Sequence, residues 1–285
     1  MGLQIKIPNL SFTDVTLPTL YVEPMLINGS LFLIDPTHPY NPYIGIPVDS
    51  TFVIPNIAAP QALSLVTGST TAGVRSIQMS GTKGKIERTL KGGIHAIISE
   101  TTSGVTAFEV NLPDNIRDYM VANQNTHSFY TSLWHRITRA EPASTKRSFG
   151  AFTETDVKYL WSFDAQGDLP PVGAKQLGAH QTADGKSLGI AYRSIGVNGT
   201  TGGTIGATPD GKAVFRVGVN SNWAVGGSGA YASQVLYRAY IEDLTVSGRT
   251  YAQADAIDYA LYIKEVASSG GRYYGDTFTD PVTLP

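Results

Sequence analysis

The longest alternation of hydrophobic and polar side chains runs through "SQVLYRAYIEDLTV", from Ser233 to Val246. A period of two places alternate side chains on opposite faces of an extended backbone, so this stretch predicts one long strand that ends near Val246. Arg238, Tyr240 and Glu242 fall on one face of it. On that face, we expect Arg238 to pair with Glu242 or with a charge on a neighbouring strand.

A helix is predicted directly after this strand. Gly248 breaks the strand, Arg249 falls in the turn, and Thr250 with Gln253 has the spacing of a capping box. The next apolar positions recur at helical spacing and predict a buried stripe made of Ala254, Ile257 and Leu261. The sequence "SSGG", residues 268–271, ends the predicted helix.

Three further stretches predict strands. "HSFYTSLWHRITRA", residues 127–140, has large apolar side chains on both faces, which is typical of a strand inside a two-layer sandwich or of one whose outer face is covered by a partner. "TADGKSLGIAYRSIGV" and "TPDGKAVFRVGVN" each contain an Asp-Gly pair between strand-like runs. Each pair predicts a hairpin, because glycine adopts a positive φ at little cost.

The first sixty residues have a different character. They hold nine of the 16 prolines, and their charged residues are Lys6, Asp14, Glu23, Asp35 and Asp49. Proline cannot donate a hydrogen bond to a neighbouring strand, so we expect no central strand here but an irregular proline-rich N-terminal arm. The segment is too apolar for a flexible linker, and either the rest of the chain or a neighbouring subunit must cover it.

Composition narrows the class of protein. The chain has 285 residues with 30 glycines, 42% hydrophobic and 15% charged residues, so we expect a folded, mainly β protein. A net charge of −2 argues against nucleic-acid binding. The lack of cysteine excludes disulfides and thiolate metal sites. No apolar run has the ~18 residues that span a bilayer, so we expect a soluble protein without membrane insertion.

The sequence "LYRAYIEDLTVSGRTYAQADAIDYALY" resembles the last strand and trailing helix of concanavalin A-like, laminin-G-type jelly-roll domains in bacteriophage virion structural proteins, such as tail-fibre, baseplate and capsid-decoration proteins. "SFYTSLWHRITRA" and "SNWAVGG" resemble inner strands and a loop of the same group, and "SLFLIDPTHPYNP" resembles their N-terminal docking segments. The resemblance covers about residues 85–265. It implies a two-sheet antiparallel jelly-roll sandwich with one C-terminal helix, and trimeric or higher assembly.

On this basis we predict three regions. Residues 1–84 form the proline-rich N-terminal arm, residues 85–266 the concanavalin A-like jelly-roll sandwich, and residues 267–285 a C-terminal tail.

No pattern of catalytic residues is recognised. The five histidines lack a second ligand at a metal-binding spacing, and His135 is expected to be a core or interface residue. No serine lies in a nucleophile elbow. Glu242 and Asp243 are neighbours on one strand and project to opposite faces, so they cannot flank one glycosidic bond together. We therefore expect a protein that is not an enzyme and needs no cofactor.

Two kinds of binding site are weighed. Laminin-G-type domains often hold calcium, and the loop carboxylates that could bind it here are those of Asp164, Asp168 and Asp184, although Asp-Gly is primarily a turn signal. A glycan could stack on aromatic rings beside amides, and the candidates are Asn220, Asn222, Trp223, Tyr273 and Tyr274. The alternative for Trp223 is that it closes one end of the sandwich or lies in an interface.

The functional expectation is a non-enzymatic bacteriophage virion structural protein, located in the virion, that docks by its N-terminal arm on other virion proteins and projects a jelly-roll domain. A homo-oligomer, with a trimer favoured, is expected. The alternative is a module of a tail fibre that binds a cell-surface glycan or a host receptor. An enzyme that acts on polysaccharide is a third hypothesis, which depends on the fold alone.

Overall fold

The computed structural model describes residues 22–47, 52–77, 79–101, 106–139, 148–155, 158–164, 175–182, 186–193, 211–219 and 233–284. These residues form a mainly β fold with two antiparallel sheets, which confirms that part of the predicted fold class. No helix in the described ranges has the length and apolar content needed to cross a bilayer.

The first sheet has seven strands. Six follow the order β10-β11-β7-β13-β5-β4, and β1 pairs with β13. Their bounds are β1 (Ser30–Ile34), β4 (Gly84–Arg88), β5 (Ile94–Ile98), β7 (Phe129–Arg139), β10 (Lys175–Gln181), β11 (Lys186–Arg193) and β13 (Ser233–Asp243).

The second sheet has six strands in the order β2-β3-β6-β12-β8-β9. Their bounds are β2 (Val53–Ile54), β3 (Ala72–Ile77), β6 (Thr106–Asn111), β8 (Ser148–Thr155), β9 (Lys158–Asp164) and β12 (Gly211–Val219). The described α-helices are α1 (Ala59–Ala62), α2 (Asp114–Ala122), α3 (Leu244–Ser247) and α4 (Tyr251–Tyr262). A π-helical turn, Ile263–Ala267, continues α4, and a 3-10 turn, Pro281–Thr283, lies near the end of the chain.

The proline-rich segment contributes a buried strand to the first sheet. One edge of β13 pairs with β7, and the other is shared by β5, opposite Gln234 to Leu236, and β1, opposite Ala239 to Glu242. The strand β1 contains no proline and all five of its residues are buried. The expected irregular arm is therefore not confirmed for its described part, since β1, β2 and β3 lie in the same sheets as the strands beyond residue 84.

The main hydrophobic core lies between the two sheets. Strands of the first sheet contribute Ile98 and Leu133, and strands of the second contribute Phe108 and Phe215. The ring centroids of Phe108 and Phe215 are 6.3 Å apart in an edge-to-face arrangement.

A second hydrophobic core covers the opposite face of the first sheet. Tyr130 and Trp134 of β7 contribute to it, together with Met25 near the start of the described chain and Leu261 of α4. The strand β7 therefore has two buried faces, as its sequence predicts, and its outer face is covered by other parts of the same chain.

The region after β13 follows the prediction with one difference. The strand ends at Asp243, and the four residues of α3 separate it from the turn at Gly248, which has a φ of 72°. The Thr250–Gln253 capping box is present. Of the predicted stripe, Ala254 and Leu261 are buried and Ile257 is partly buried.

The two Asp-Gly predictions have different outcomes. The strands β10 and β11 form a hairpin closed by a 2.8 Å hydrogen bond from the amide of Thr182 to the carbonyl of Lys186. The strand β12 pairs with β6 and β8, but residues 194–210 before it lie outside the described residues, so the second hairpin stays a prediction.

Candidate functional site

A buried ion pair joins the proline-rich segment to the closing strand. The Arg238 guanidinium donates to both carboxylate oxygens of Glu23, at 3.0 and 2.9 Å. Both side chains are almost completely buried. The guanidinium also lies over the Trp134 ring, 4.9 Å from its centroid. This bidentate geometry stabilises two charges that would each be costly to bury alone.

A second carboxylate belongs to the same buried ion-pair network. Asp35, the residue after β1, lies 3.6 Å from Arg238 and accepts hydrogen bonds from Arg272 at 2.8 Å and from the Tyr273 hydroxyl at 2.7 Å. Arg272 also donates to Glu265 in the π-helical turn. The network therefore holds residues 23–35, β13 and the segment after α4 together.

The pKa values of both carboxyls reflect these partners. Burial alone would raise the pKa of Glu23, but the charge of Arg238 and hydrogen bonds from His38, Arg238 and the Met25 amide lower it well below its usual value. Burial likewise acts to raise the pKa of Asp35, and Arg272 outweighs it, so the pKa is lowered. Both groups are thus held as carboxylates in the interior.

Of the two predicted partners of Arg238, Glu242 is wrong, whereas a charge beside a neighbouring strand is present, since Asp35 directly follows β1. Glu242 accepts a 2.7 Å hydrogen bond from the Tyr240 hydroxyl and pairs with Arg249 at 3.2 Å. Arg249 also donates to the Pro24 carbonyl at 2.9 Å. Arg238 and Glu242 therefore bind the proline-rich segment and the turn, and do not pair with each other.

The helix α4 contributes a buried acid that the apolar stripe did not predict. Asp258 is fully buried and accepts hydrogen bonds from the Trp134 ring nitrogen and the Tyr130 hydroxyl, both at 3.0 Å. Burial raises the pKa of Asp258. Its position fixes α4 over β7.

Glu242 and Asp243 lie on opposite faces, as predicted. Asp243 accepts hydrogen bonds from Tyr119 at 2.8 Å and caps α3 through the amides of Thr245 and Val246, and its carboxylate lies 2.5 Å from a ring nitrogen of His127. Its contacts are thus with α2, α3 and the start of β7, away from the Glu242 cluster.

Three side chains across the first sheet follow the order acid, imidazole, hydroxyl. Glu87 lies 2.9 Å from His95 Nδ1, and His95 Nε2 lies 2.8 Å from the Thr138 hydroxyl. This is the order of a hydrolytic triad. Here the ring of His95 is completely buried and packs against Phe278, and Thr279 hydrogen-bonds Glu87. The chain of hydrogen bonds thus joins β4, β5 and β7 beneath the C-terminal residues.

The proline loop, residues 36–47, presents apolar side chains to solvent. Tyr40, Ile44 and Ile46 are 52%, 86% and 41% exposed. The loop contains no Asp, Glu, Lys or Arg. Large apolar side chains gathered in an uncharged surface segment are typical of a surface that contacts another molecule.

The backbone of the proline loop is held by the ion-pair network. His38 is fully buried, its Nε2 lies 3.0 Å from Glu23, and its Nδ1 accepts the Tyr40 amide at 3.1 Å. The Tyr43 amide donates to the Pro36 carbonyl at 3.0 Å. Four prolines restrict φ further, so the backbone of the loop has little conformational freedom.

The predicted glycan-binding residues are not brought together within the described part. Tyr273 is completely buried and donates to Asp35, so its ring offers no surface on which a sugar could stack. Tyr274 is 46% exposed. Asn220, Asn222 and Trp223 lie outside the described residues.

Only one of the three predicted calcium ligands lies within the described residues. Asp164 is the last residue of β9, and Asp168 and Asp184 lie outside the described residues. Within the described ranges, no three acidic or histidine side chains are grouped closely enough to hold a metal ion. The calcium site stays an untested prediction.

Glu23 and Asp35 were not identified from the sequence as the partners of Arg238. Glu23 and Asp35 are isolated acids within apolar runs, "YVEPM" and "FLIDP". Such an acid is costly to bury without a cation, so its position was the signal for an ion pair with a distant arginine. The partner itself could not be read locally.

Comparison with known proteins gives no match to a family model, to a curated protein or to a solved structure.

Proposed function

We propose that this chain is a non-enzymatic structural protein of a bacteriophage virion, with a concanavalin A-like jelly-roll domain, that docks on other virion proteins and on copies of itself through its proline-rich N-terminal region. The observation that carries the proposal is the uncharged proline loop with its exposed Tyr40, Ile44 and Ile46. The sequence resemblance supports a location in the virion, and the two antiparallel sheets are compatible with a jelly roll.

The N-terminal region has two roles in this proposal. Residues 23–35 belong to the folded domain, because Glu23 and Asp35 are bound to Arg238 and Arg272, and β1 pairs with β13. The N-terminal extension, residues 1–21, and the proline loop provide the contacts with neighbours. A deletion that tests docking must therefore end before Glu23, because a longer one removes the buried partner of Arg238.

The test is the location of the protein in particles. Particles from a host that carries the coding sequence would be purified, and the chain located by mass spectrometry and by gold-labelled antibodies in electron micrographs. The proposal predicts a stoichiometric component at a fixed place on the particle. Recovery of the chain only in the fraction without particles would refute it.

The alternative function, a module of a tail fibre that binds a glycan or host receptor, is favoured by the exposed ring of Tyr274. A glycan array with the intact chain tests it, with Trp223→Ala and Tyr274→Ala as variants. Binding that both variants keep would refute these residues as the site, and no binding at all would refute the glycan.

A further inference from the structure

We propose that the proline loop, residues 36–47, is the surface onto which the N-terminal extension, residues 1–21, of a second copy of this chain docks. This inference rests on the proposed function and names the partner and the contact surface for it.

Val22, the residue that follows the extension in the chain, lies beside the proline loop. Val22 is 68% exposed, and the next residue, Glu23, is bound to His38 within the loop. The same histidine accepts the amide of Tyr40. Val22 therefore lies on the side of the domain that carries the loop. When two copies meet through this side, the extension of each copy is close to the loop of the other.

The extension and the proline loop are chemically complementary. The extension has two charged residues, Lys6 and Asp14, and its large apolar side chains are Met1, Leu3, Ile5, Ile7, Leu10, Phe12, Val15, Leu17, Leu20 and Tyr21. The loop has no Asp, Glu, Lys or Arg and exposes Tyr40, Ile44 and Ile46. Contact between two such segments buries apolar area without removing an ion from water.

The extension is long enough to contact a neighbouring copy and large enough to form a specific interface. Twenty-one extended residues span up to about 70 Å. A folded chain of this length has a radius of gyration of about 19 Å, so the extension reaches a neighbouring copy. Specific interfaces use about 20–30 residues on each side. If each copy docks its extension on the loop of the other, the extension and the loop of one copy together provide this number.

The experiment is photo-crosslinking between isotopically distinct copies. A benzophenone amino acid replaces Ile44 in unlabelled chain, which is mixed with ¹⁵N-labelled wild-type chain, irradiated, digested and mapped by mass spectrometry. Val282, 69% exposed in the 3-10 turn, is replaced in the same way as a control of matched exposure. The proposal predicts crosslinks from position 44 to ¹⁵N-labelled residues 1–21, at several times the yield from position 282.

Three results would overturn the proposal: crosslinks only to the extension of the same chain, crosslinks to other regions, or equal yields from positions 44 and 282. A second measurement separates this inference from the proposed function. Sedimentation of Ile44→Ser/Ile46→Ser is compared with that of the wild type and of Val282→Ser. If the wild type assembles and the loop variant assembles equally, the loop is not the docking surface, although assembly stands. If the wild type is monomeric, both the assembly claim and this inference fail.

Discussion

Arg238 in the closing strand forms a bidentate ion pair with Glu23, 215 positions earlier in the chain, at 2.9 and 3.0 Å. The pair lies on the outer face of the first sheet, beneath a layer formed by residues near both ends of the described chain. It fixes the point at which the N-terminal region becomes part of the folded domain.

Arg238→Met tests this ion pair. The substitution keeps the apolar volume but leaves the buried Glu23 without its cation, while Asp35 keeps Arg272, so we expect the free energy of unfolding to fall by about 3–5 kcal/mol. Chemical denaturation measures it. The matched double variant Glu23→Gln/Arg238→Met removes both charges of the pair. Its loss in the free energy of unfolding should be smaller than the sum of the losses of Glu23→Gln and Arg238→Met. Additive losses would show that the two side chains do not stabilise each other.

The stability of the folded protein at low pH should depend on Glu87. Burial alone would raise the pKa of Glu87, but hydrogen bonds from Lys85, Thr279 and His95 lower it from 4.5 to about 2. Because the folded-state pKa lies below the unfolded one, the stabilisation is complete above about pH 4.5 and is lost as the pH falls towards 2. Glu87→Gln should be less stable than the wild type at pH 7, with the difference vanishing near pH 2. A difference that is constant from pH 7 to pH 2 would contradict this assignment.

Tyr273 and Tyr274 should respond differently to removal of the hydroxyl. Tyr273→Phe leaves the buried Asp35 without one of its donors, and we expect a loss of about 1–3 kcal/mol in the free energy of unfolding. Tyr274→Phe changes an exposed side chain and should stay within about 0.5 kcal/mol of the wild type. Thermal and urea denaturation of both variants would check this. Equal effects would mean that the burial of Tyr273 is wrongly assigned.

The elements that local patterns specify were predictable. Alternation located β13 and both faces of β7, and the Thr250–Gln253 spacing located the start of α4. These features depend on residues within a few positions of each other.

The contacts between distant segments were not predictable. The pairing of β1 with β13 and the Glu23–Arg238 ion pair join residues more than 200 positions apart, and no local pattern specifies such a partner. The density of prolines argued against a central strand and indicated an irregular arm. Among the described residues β1 pairs with β13 alone, and it fits between Pro24 and Pro36, where no proline interrupts the hydrogen bonds. The candidate docking loop follows from exposure, which the sequence alone does not give.

The central claim is that residues 1–21 are needed for assembly and are not needed for the fold. Sedimentation velocity of the full chain and of a chain that starts at Val22 tests it most directly, with the free energy of unfolding measured alongside. We predict that the full chain forms a discrete oligomer and that the shortened chain is a monomer of stability within about 0.5 kcal/mol of a full-chain monomer. Identical sedimentation of the two chains, whether as monomers or as oligomers, would contradict the claim.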